Sequence, residues 1–260
     1  MWTYLWQNFL TDSKIRSYIA NKIWDLYKKL DCNALVEIWP GKWSITKLIN
    51  QISDNLIVIE KDEQLIQNLK FRIQNWELNI KQIIGQDVLE VDVVKILKEK
   101  KLKSEKTLIV WNLPYYITSP ILRKFFADWE SKFPWGIFML QNEVWEKIKF
   151  DAKKKSYLRW LLNYWYDVNY LKMVPAKAFS PAPKIKSCLV QLIVKTEIPQ
   201  INWDRLIEFL DLYSWFSRKT LGAIEKILIK QNKYKFPINE NLHKKRMEDL
   251  DREDIWRIVN

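Results

Sequence analysis

Ala34-Leu35-Val36-Glu37-Ile38, followed by Trp39-Pro40-Gly41-Lys42-Trp43, is the stretch that decides the fold. The first five residues are aliphatic apart from Glu37 and read as a strand buried on both faces. Proline and glycine then mark a turn, and Ser44 to Ser53 reads as a helix. An N-terminal helical stretch precedes this unit. After it come a second strand, Leu56 to Glu60, and a second helix, Glu63 to Asn75, with apolar Leu65, Ile66, Leu69 and Ile73. Ile80 to Ile84 is a third strand before Gly85-Gln86-Asp87. Thr107 to Val110 is a fourth, running into Trp111-Asn112-Leu113-Pro114-Tyr115, and Ile137 to Leu140 and Ser187 to Val194 supply later strands. Strands alternating with helices predict an α/β fold with a parallel sheet covered on both faces. From about Pro199 the strands stop. Asp204 to Tyr213, Ser217 to Lys230 and Arg252 to Val259 read as helices, so an α/β domain over 1–195 and a helical domain over 196–260 are expected.

Composition narrows the function. The chain has 260 residues, 48% of them hydrophobic, which suits a packed core and excludes wholesale disorder. Charged residues make up 28%, and no apolar run approaches the roughly 18 residues that span a bilayer. No basic leader precedes an apolar stretch at the N-terminus, so no secretory signal is expected. Cys32 and Cys188 make no disulfide framework, and His243, the single histidine, makes no metal cluster. A cytoplasmic, membrane-free, metal-free monomer is the expectation. The net charge of +12, from 43 basic and 31 acidic side chains, favours an anionic partner such as nucleic acid, although nine arginines against 34 lysines also fit a compositional bias. Lys153-Lys154-Lys155, Arg218-Lys219 and Lys244-Lys245-Arg246 are candidate phosphate contacts or simply solvated faces. Lys98 to Lys106 reads as a charged connection. Only four glycines occur, where average usage gives about 18, against 15 tryptophans.

In an open parallel sheet, ligands bind at the carboxyl ends of the strands. Glu60 ends the second strand, 19 residues after Gly41, where a carboxylate can accept hydrogen bonds from two ribose hydroxyls. An exposed strand end is the plain alternative. Asp87, after the third strand, is placed to meet an adenine amino group. Asn112-Leu113-Pro114-Tyr115 carries the most specific chemistry. An exocyclic adenine amine is a poor nucleophile because its lone pair is delocalised into the ring. An Asn carbonyl and a backbone carbonyl that accept both N–H bonds favour a pyramidal nitrogen. Pro114 fixes the turn, and Tyr115 offers a face for a flipped-out base. An ordinary strand-to-turn junction is the alternative.

These residues resemble the ribosomal RNA adenine dimethyltransferases, the S-adenosylmethionine-dependent KsgA-type enzymes of the small subunit. The resemblance runs nearly end to end. It covers Trp6-Gln7-Asn8-Phe9-Leu10, Glu37 to Trp43, Asn112 to Tyr115 with Ser119-Pro120, and Gln141-Asn142-Glu143. It continues in Phe179-Ser180-Pro181-Ala182-Pro183-Lys184-Ile185-Lys186-Ser187 and Phe216-Ser217-Arg218-Lys219-Thr220-Leu221. It implies a class I S-adenosylmethionine-dependent methyltransferase fold, Rossmann-like, with a small all-helical C-terminal domain that recognises rRNA. It also implies N6,N6-dimethylation of adenines in a hairpin near the 3′ end of small-subunit rRNA, acting on the immature small subunit in ribosome biogenesis. Asn8, Leu10, Trp39, Gly41, Glu60, Asp87 and Asn112 would then bind the cofactor. Asn112, Leu113, Pro114 and Tyr115 would form the catalytic turn. Tyr115 and Phe179 would wall the target base, with core packing as the other reading of Phe179. The sulfonium of the donor is already activated, so alignment is the main requirement and no strong general base is needed.

The chain departs from the family where it has Trp6, Trp39, Trp43 and Trp111, positions at which the family has glycine. An indole at Trp39 or Trp43 should occupy cofactor volume or block the turn. Either the chain is a catalytically impaired rRNA-binding assembly factor, or UGA codons read as glycine in the source have been written as tryptophan. The second is favoured, because only glycines are lost, all to one residue type, while the acids and motifs survive. A DNA adenine methyltransferase would leave the Phe179 to Ser187 run unexplained, and a nicotinamide oxidoreductase would leave the Asn112 turn without a role.

Overall fold

The computed structural model describes residues 8–75, 77–112, 117–127, 133–152, 157–197, 200–216 and 218–260. It divides into two units, one of residues 1–145 and 167–194, the other of residues 146–166 and 195–260.

The first unit begins with a two-residue strand, β1 (Phe9–Leu10), and a 17-residue helix, α1 (Ser13–Lys29). Asp12 starts the helix by accepting a hydrogen bond from the Ile15 N–H at 3.0 Å. Ile15, Ile19, Ile23 and Leu26 fall on one stripe and are buried, and Lys28 and Lys29 sit at the negative end of the helix dipole. The chain then alternates β2 (Ala34–Ile38), α2 (Thr46–Ile49), β3 (Leu56–Ile59), α3 (Glu63–Gln74), β4 (Gln82–Ile84), α4 (Val93–Glu99), β5 (Thr107–Asn112), α5 (Thr118–Leu122), β6 (Trp135–Gln141) and α6 (Asn142–Ile148). Helix α7 (Tyr157–Trp165) and strands β7 (Tyr166–Val174), β8 (Phe179–Ser180) and β9 (Ser187–Val194) follow.

Seven strands form one sheet in the order β4-β3-β2-β5-β6-β9-β7. The β2–β3, β3–β4, β2–β5 and β5–β6 pairs are parallel, and β9 returns antiparallel to β6. All residues of β2 and β3 are buried, as expected of central strands covered on both faces. Leu35, Leu56, Val58, Leu108, Val110, Ile137, Met139 and Leu189 join the buried stripe of α1 in a single core. The sheet is the Rossmann-like arrangement expected of a class I methyltransferase. Its strand order reverses at β2, because the chain builds outward through β3 and β4 and then crosses to β5. That crossover makes the carboxyl ends of β2 and β5 the place where open α/β sheets of this kind bind ligands.

In the second unit, α8 (Trp203–Tyr213), α9 (Leu221–Lys230) and α10 (Arg252–Val259) follow with no strand between them among the described residues. Asn202 caps α8 through the Arg205 N–H, and Asp251 and Asp254 form a reciprocal capping box at α10. The C-terminal run of this unit starts at Lys195. Residues 146–166 group with it as well, because α7 packs on α8.

Candidate functional site

Three segments far apart in sequence meet at the carboxyl end of β2. Strand β1 pairs antiparallel with β8, Phe9 opposite Ser180 and Leu10 opposite Phe179. The Thr11 N–H donates to the Ala178 carbonyl at 2.8 Å. The Phe9 ring lies 3.5 Å from where a Cβ on Gly41 would stand, and the Lys42 ammonium is 4.4 Å from its centroid. The Asn8 to Leu10 segment, the 39–43 loop and the Phe179 run are therefore one neighbourhood. Leu10 and Phe179 belong to the hydrophobic core, at 1% and 5% exposure. Phe179 is thus packed among core side chains.

Both ends of the 39–43 loop are fixed. The Trp39 N–H donates to the Ile59 carbonyl at 2.9 Å, extending the β2–β3 ladder, and the Trp43 N–H donates to Pro40 at 3.0 Å. The backbone between turns left-handed three times, with φ of 55° at Trp39, 56° at Gly41 and 57° at Trp43. Glycine is the residue that adopts this region without penalty. At bulky tryptophan it is an outlier. Both indoles are buried, and neither Nε1 has a hydrogen-bond acceptor.

The acids occupy successive strand ends. The Glu60 N–H extends the β3–β4 ladder by donating to Ile84 at 3.0 Å. Its carboxylate, 4% exposed, accepts from the N–H groups of Lys61 and Asp62 at 2.8 and 3.0 Å. It is therefore not an exposed strand end. Burial raises the Glu60 carboxyl above its ordinary value, while the N–H groups of Asp62, Lys61 and Gly41 favour the charged form. Asp87 accepts from the Leu89 N–H at 3.0 Å and pairs with Lys61 at 3.3 Å. The same Lys61 ammonium stands 5.2 Å from the Trp39 ring. Asp62, next along, caps α3 through the Gln64 and Leu65 N–H groups.

Asn112 ends β5 opposite Met139 of β6. Leu113, Pro114 and Tyr115 lie outside the described residues, as do Trp6 and Lys153 to Lys155. Trp111, 4% exposed, stacks on Phe138 with centroids 3.4 Å apart and planes at 18°. With Glu37 it borders a cavity of about 20 Å³, also lined by Ile19, Ile23, Ile45 and Met139. Burial pushes the Glu37 carboxyl up to about 8. The Thr46 hydroxyl opposes that shift in part and the Glu60 charge adds to it, and Glu37 Oε2 has no hydrogen-bond partner. Sequence reasoning did not single out Phe9 or Lys61 as site residues. Phe9 lay inside a quoted motif, and Lys61 adjoins the strand-end acid, but neither position signals its spatial neighbour.

In the second unit the fold joins two basic runs. The Leu221 N–H donates to the Lys245 carbonyl, the Gly222 N–H to His243, and Thr220 bridges to Arg246. Arg218, Lys219, Lys244 and Arg246 are exposed on the segments so joined.

A family model described as ribosomal RNA adenine dimethylase matches residues 3–260. Ribosomal RNA small subunit methyltransferase A of Mycoplasma mycoides subsp. mycoides is 32% identical, over 99% of this chain and 96% of its own length. The protein of the same name from Francisella tularensis subsp. tularensis is 31% identical over 98% and 95%. In fold, the chain is similar to a dimethyladenosine transferase from Plasmodium falciparum, with a TM-score of 0.69 and 21% identity over 96% of this chain and 95% of that one. It is also similar to the 23S rRNA methyltransferase ErmE, with a TM-score of 0.64 and 18% identity over 96% and 97%.

Proposed function

The chain belongs to the ribosomal RNA adenine dimethylases, and from that premise we propose that it dimethylates N6 of adenines in a hairpin near the 3′ end of small-subunit rRNA, using S-adenosylmethionine. The observation that carries the reading is the whole-length family match, joined to acids at successive strand ends, Glu60 and Asp87, beside the loop after β2. Asn8, Leu10, Gly41, Glu60, Asp87 and Asn112 would hold the cofactor. Its chemistry is a methyl group on a sulfonium, activated before it reaches the protein. Glu60 suits a ribose, since its carboxylate is oriented by backbone N–H groups in advance. The turn of Asn112, Leu113, Pro114 and Tyr115, with Phe179, would orient the adenine.

The acids fit the cofactor and the loop as written does not. Two buried indoles on left-handed backbone stand where a close backbone approach is needed. That misfit favours a second reading, a catalytically impaired rRNA-binding assembly factor. On either reading Arg218, Lys219, Lys244 and Arg246 would meet rRNA phosphates, placing the substrate while the pocket selects adenine. The test is methyl transfer from labelled S-adenosylmethionine to unmethylated small ribosomal subunits. It compares the chain as written with a variant carrying glycine at Trp6, Trp39, Trp43 and Trp111. Dimethyladenosine made by the glycine variant supports the enzyme. Subunit binding without transfer by either protein supports the assembly factor.

A further inference from the structure

We propose that residues 39, 43 and 111 are glycine in the protein as its source makes it, specified by UGA codons decoded as glycine, and that the indoles of the written chain close the cofactor cleft. The statement about the cleft rests on the function proposed above; the identity of the residues rests on conformation and packing.

Backbone comes first. Among the described residues, the other non-glycine residues with positive φ are Asp31, Lys101 and Asn232, at 48°, 58° and 55°. Each stands just past the last turn of a helix, α1, α4 and α9, where a single left-handed residue is routine. Trp39 and Trp43 follow no helix. They flank Gly41 in a loop whose hydrogen bonds to Ile59 and Pro40 impose the turn.

Packing is the second and independent observation. Trp39, Trp43 and Trp111 are 8%, 9% and 4% exposed, and the indole N–H of each lacks an acceptor. A buried indole normally finds a partner for its N–H. Trp256, which is half exposed, donates from Nε1 to the Gln200 carbonyl at 3.0 Å. Trp165 and Trp203 pack against one another with planes tilted by 33° and 4.1 Å between centroids. Trp111 stacks on Phe138 at 3.4 Å between centroids while its own N–H has no acceptor. It presses on Phe138, whose ring lies back over Gly136 so closely that a Cβ there would be 1.8 Å from Phe138 Cζ. Removing its indole frees Phe138 and opens the wall of the cavity beside Glu37, which has an unpartnered carboxyl oxygen. Composition agrees, with four glycines against 15 tryptophans.

The test has two arms. In the first, peptides spanning 39–43 and 111 are sequenced by mass spectrometry from protein isolated from its source, and the codons are read from its gene. Glycine encoded by UGA is the expected result. Tryptophan, or a UGG codon, at any of the three overturns the assignment at that position. In the second, S-adenosylmethionine is titrated calorimetrically into the full chain as written and into the Trp39→Gly/Trp43→Gly/Trp111→Gly variant, with circular dichroism to confirm that both are folded. Binding by the variant should be at least roughly a hundredfold tighter, and equal binding overturns the closure of the cleft. A single Trp39→Gly variant serves if the triple variant is unfolded. Glycine forms that bind S-adenosylmethionine but do not methylate small subunits would refute the function proposed above and leave this inference standing.

Discussion

Replacing Glu37 by glutamine should abolish a pH dependence of stability that one buried carboxyl imposes on the first unit. Glu37 lies in the fully buried strand β2, and its folded value is about 8 against an ordinary 4.5. Below the ordinary value the carboxyl is protonated in folded and unfolded chains alike and contributes no pH dependence. Between 4.5 and 8 the unfolded chain has released the proton and the folded chain retains it, so stability falls as pH rises. The slope is about 1.4 kcal/mol per pH unit for one proton. From pH 5 to pH 8 the ceiling is therefore about 4 kcal/mol, which internal relaxation and water entry reduce to an expected 2 kcal/mol or so. Glutamine keeps the shape and does not titrate. Urea unfolding at pH 5 and pH 8, followed by far-ultraviolet circular dichroism, isolates the effect as a double difference, because every other titrating group is shared by the two proteins. The stability of Glu37→Gln relative to the parent should rise by about 2 to 4 kcal/mol between the two pH values. A difference that stays constant to within about 0.5 kcal/mol would mean that Glu37 is ionised in the folded chain, and the reasoning from burial would be refuted.

Gly136→Ala should destabilise the chain by about 1 to 3 kcal/mol in urea unfolding, because the new methyl meets Phe138, which is boxed in by Trp111 and Phe126. Asp251→Ala should cost about 1 kcal/mol in thermal unfolding, through loss of the bond from the Asp254 N–H at the start of α10. In the glycine-substituted chain, Glu60→Ala should weaken S-adenosylmethionine binding roughly tenfold to a hundredfold by calorimetry; unchanged binding would remove Glu60 from the ribose site. The double variant Arg218→Glu/Lys219→Glu should weaken binding to small-subunit rRNA and lower the slope of log K against log salt by about 1.5 in filter binding. An unchanged slope would make that basic cluster a solvated face only.

The central strands were legible because burial on both faces leaves an unbroken aliphatic run. Leu56 to Ile59 was legible to within one residue, and Ser187 to Val194 to its ends although Gln191 interrupts its apolar run. Strands whose pairing is tertiary left no such mark. β1 and β8 are two residues each and exist because they meet one another. β7 mixes exposed and buried positions without a clean alternation at the edge of the sheet. The helix expected over Ser44 to Ser53 shrinks to Thr46–Ile49, since the left-handed Trp43 delays its start. Of the site, the order of acids along the chain could be read directly, since each follows its own strand. The meeting of Phe9 with Gly41, and of Lys61 with both Trp39 and Asp87, could not, because those contacts join separate segments.

What holds the 39–43 loop in its conformation bears on what the rest of the chain encodes. A tryptophan with free choice of φ would leave the left-handed region, which costs it about 1 to 2 kcal/mol. Two of them remain there in one loop. The constraint comes from outside: the Trp39 N–H is committed to Ile59, the Gly41 N–H faces the Glu60 carboxylate, and Phe9 lies across the turn from a strand paired with β8. Relaxing φ at residue 39 would break the continuation of the β2–β3 ladder and withdraw an N–H from a buried carboxylate, each costing about as much as the strain or more. The surrounding residues thus specify a glycine loop whatever stands at 39 and 43. Sequence that still imposes a glycine backbone, around residues that cannot use it well, argues that the framework keeps the loop on which the proposed cofactor site depends.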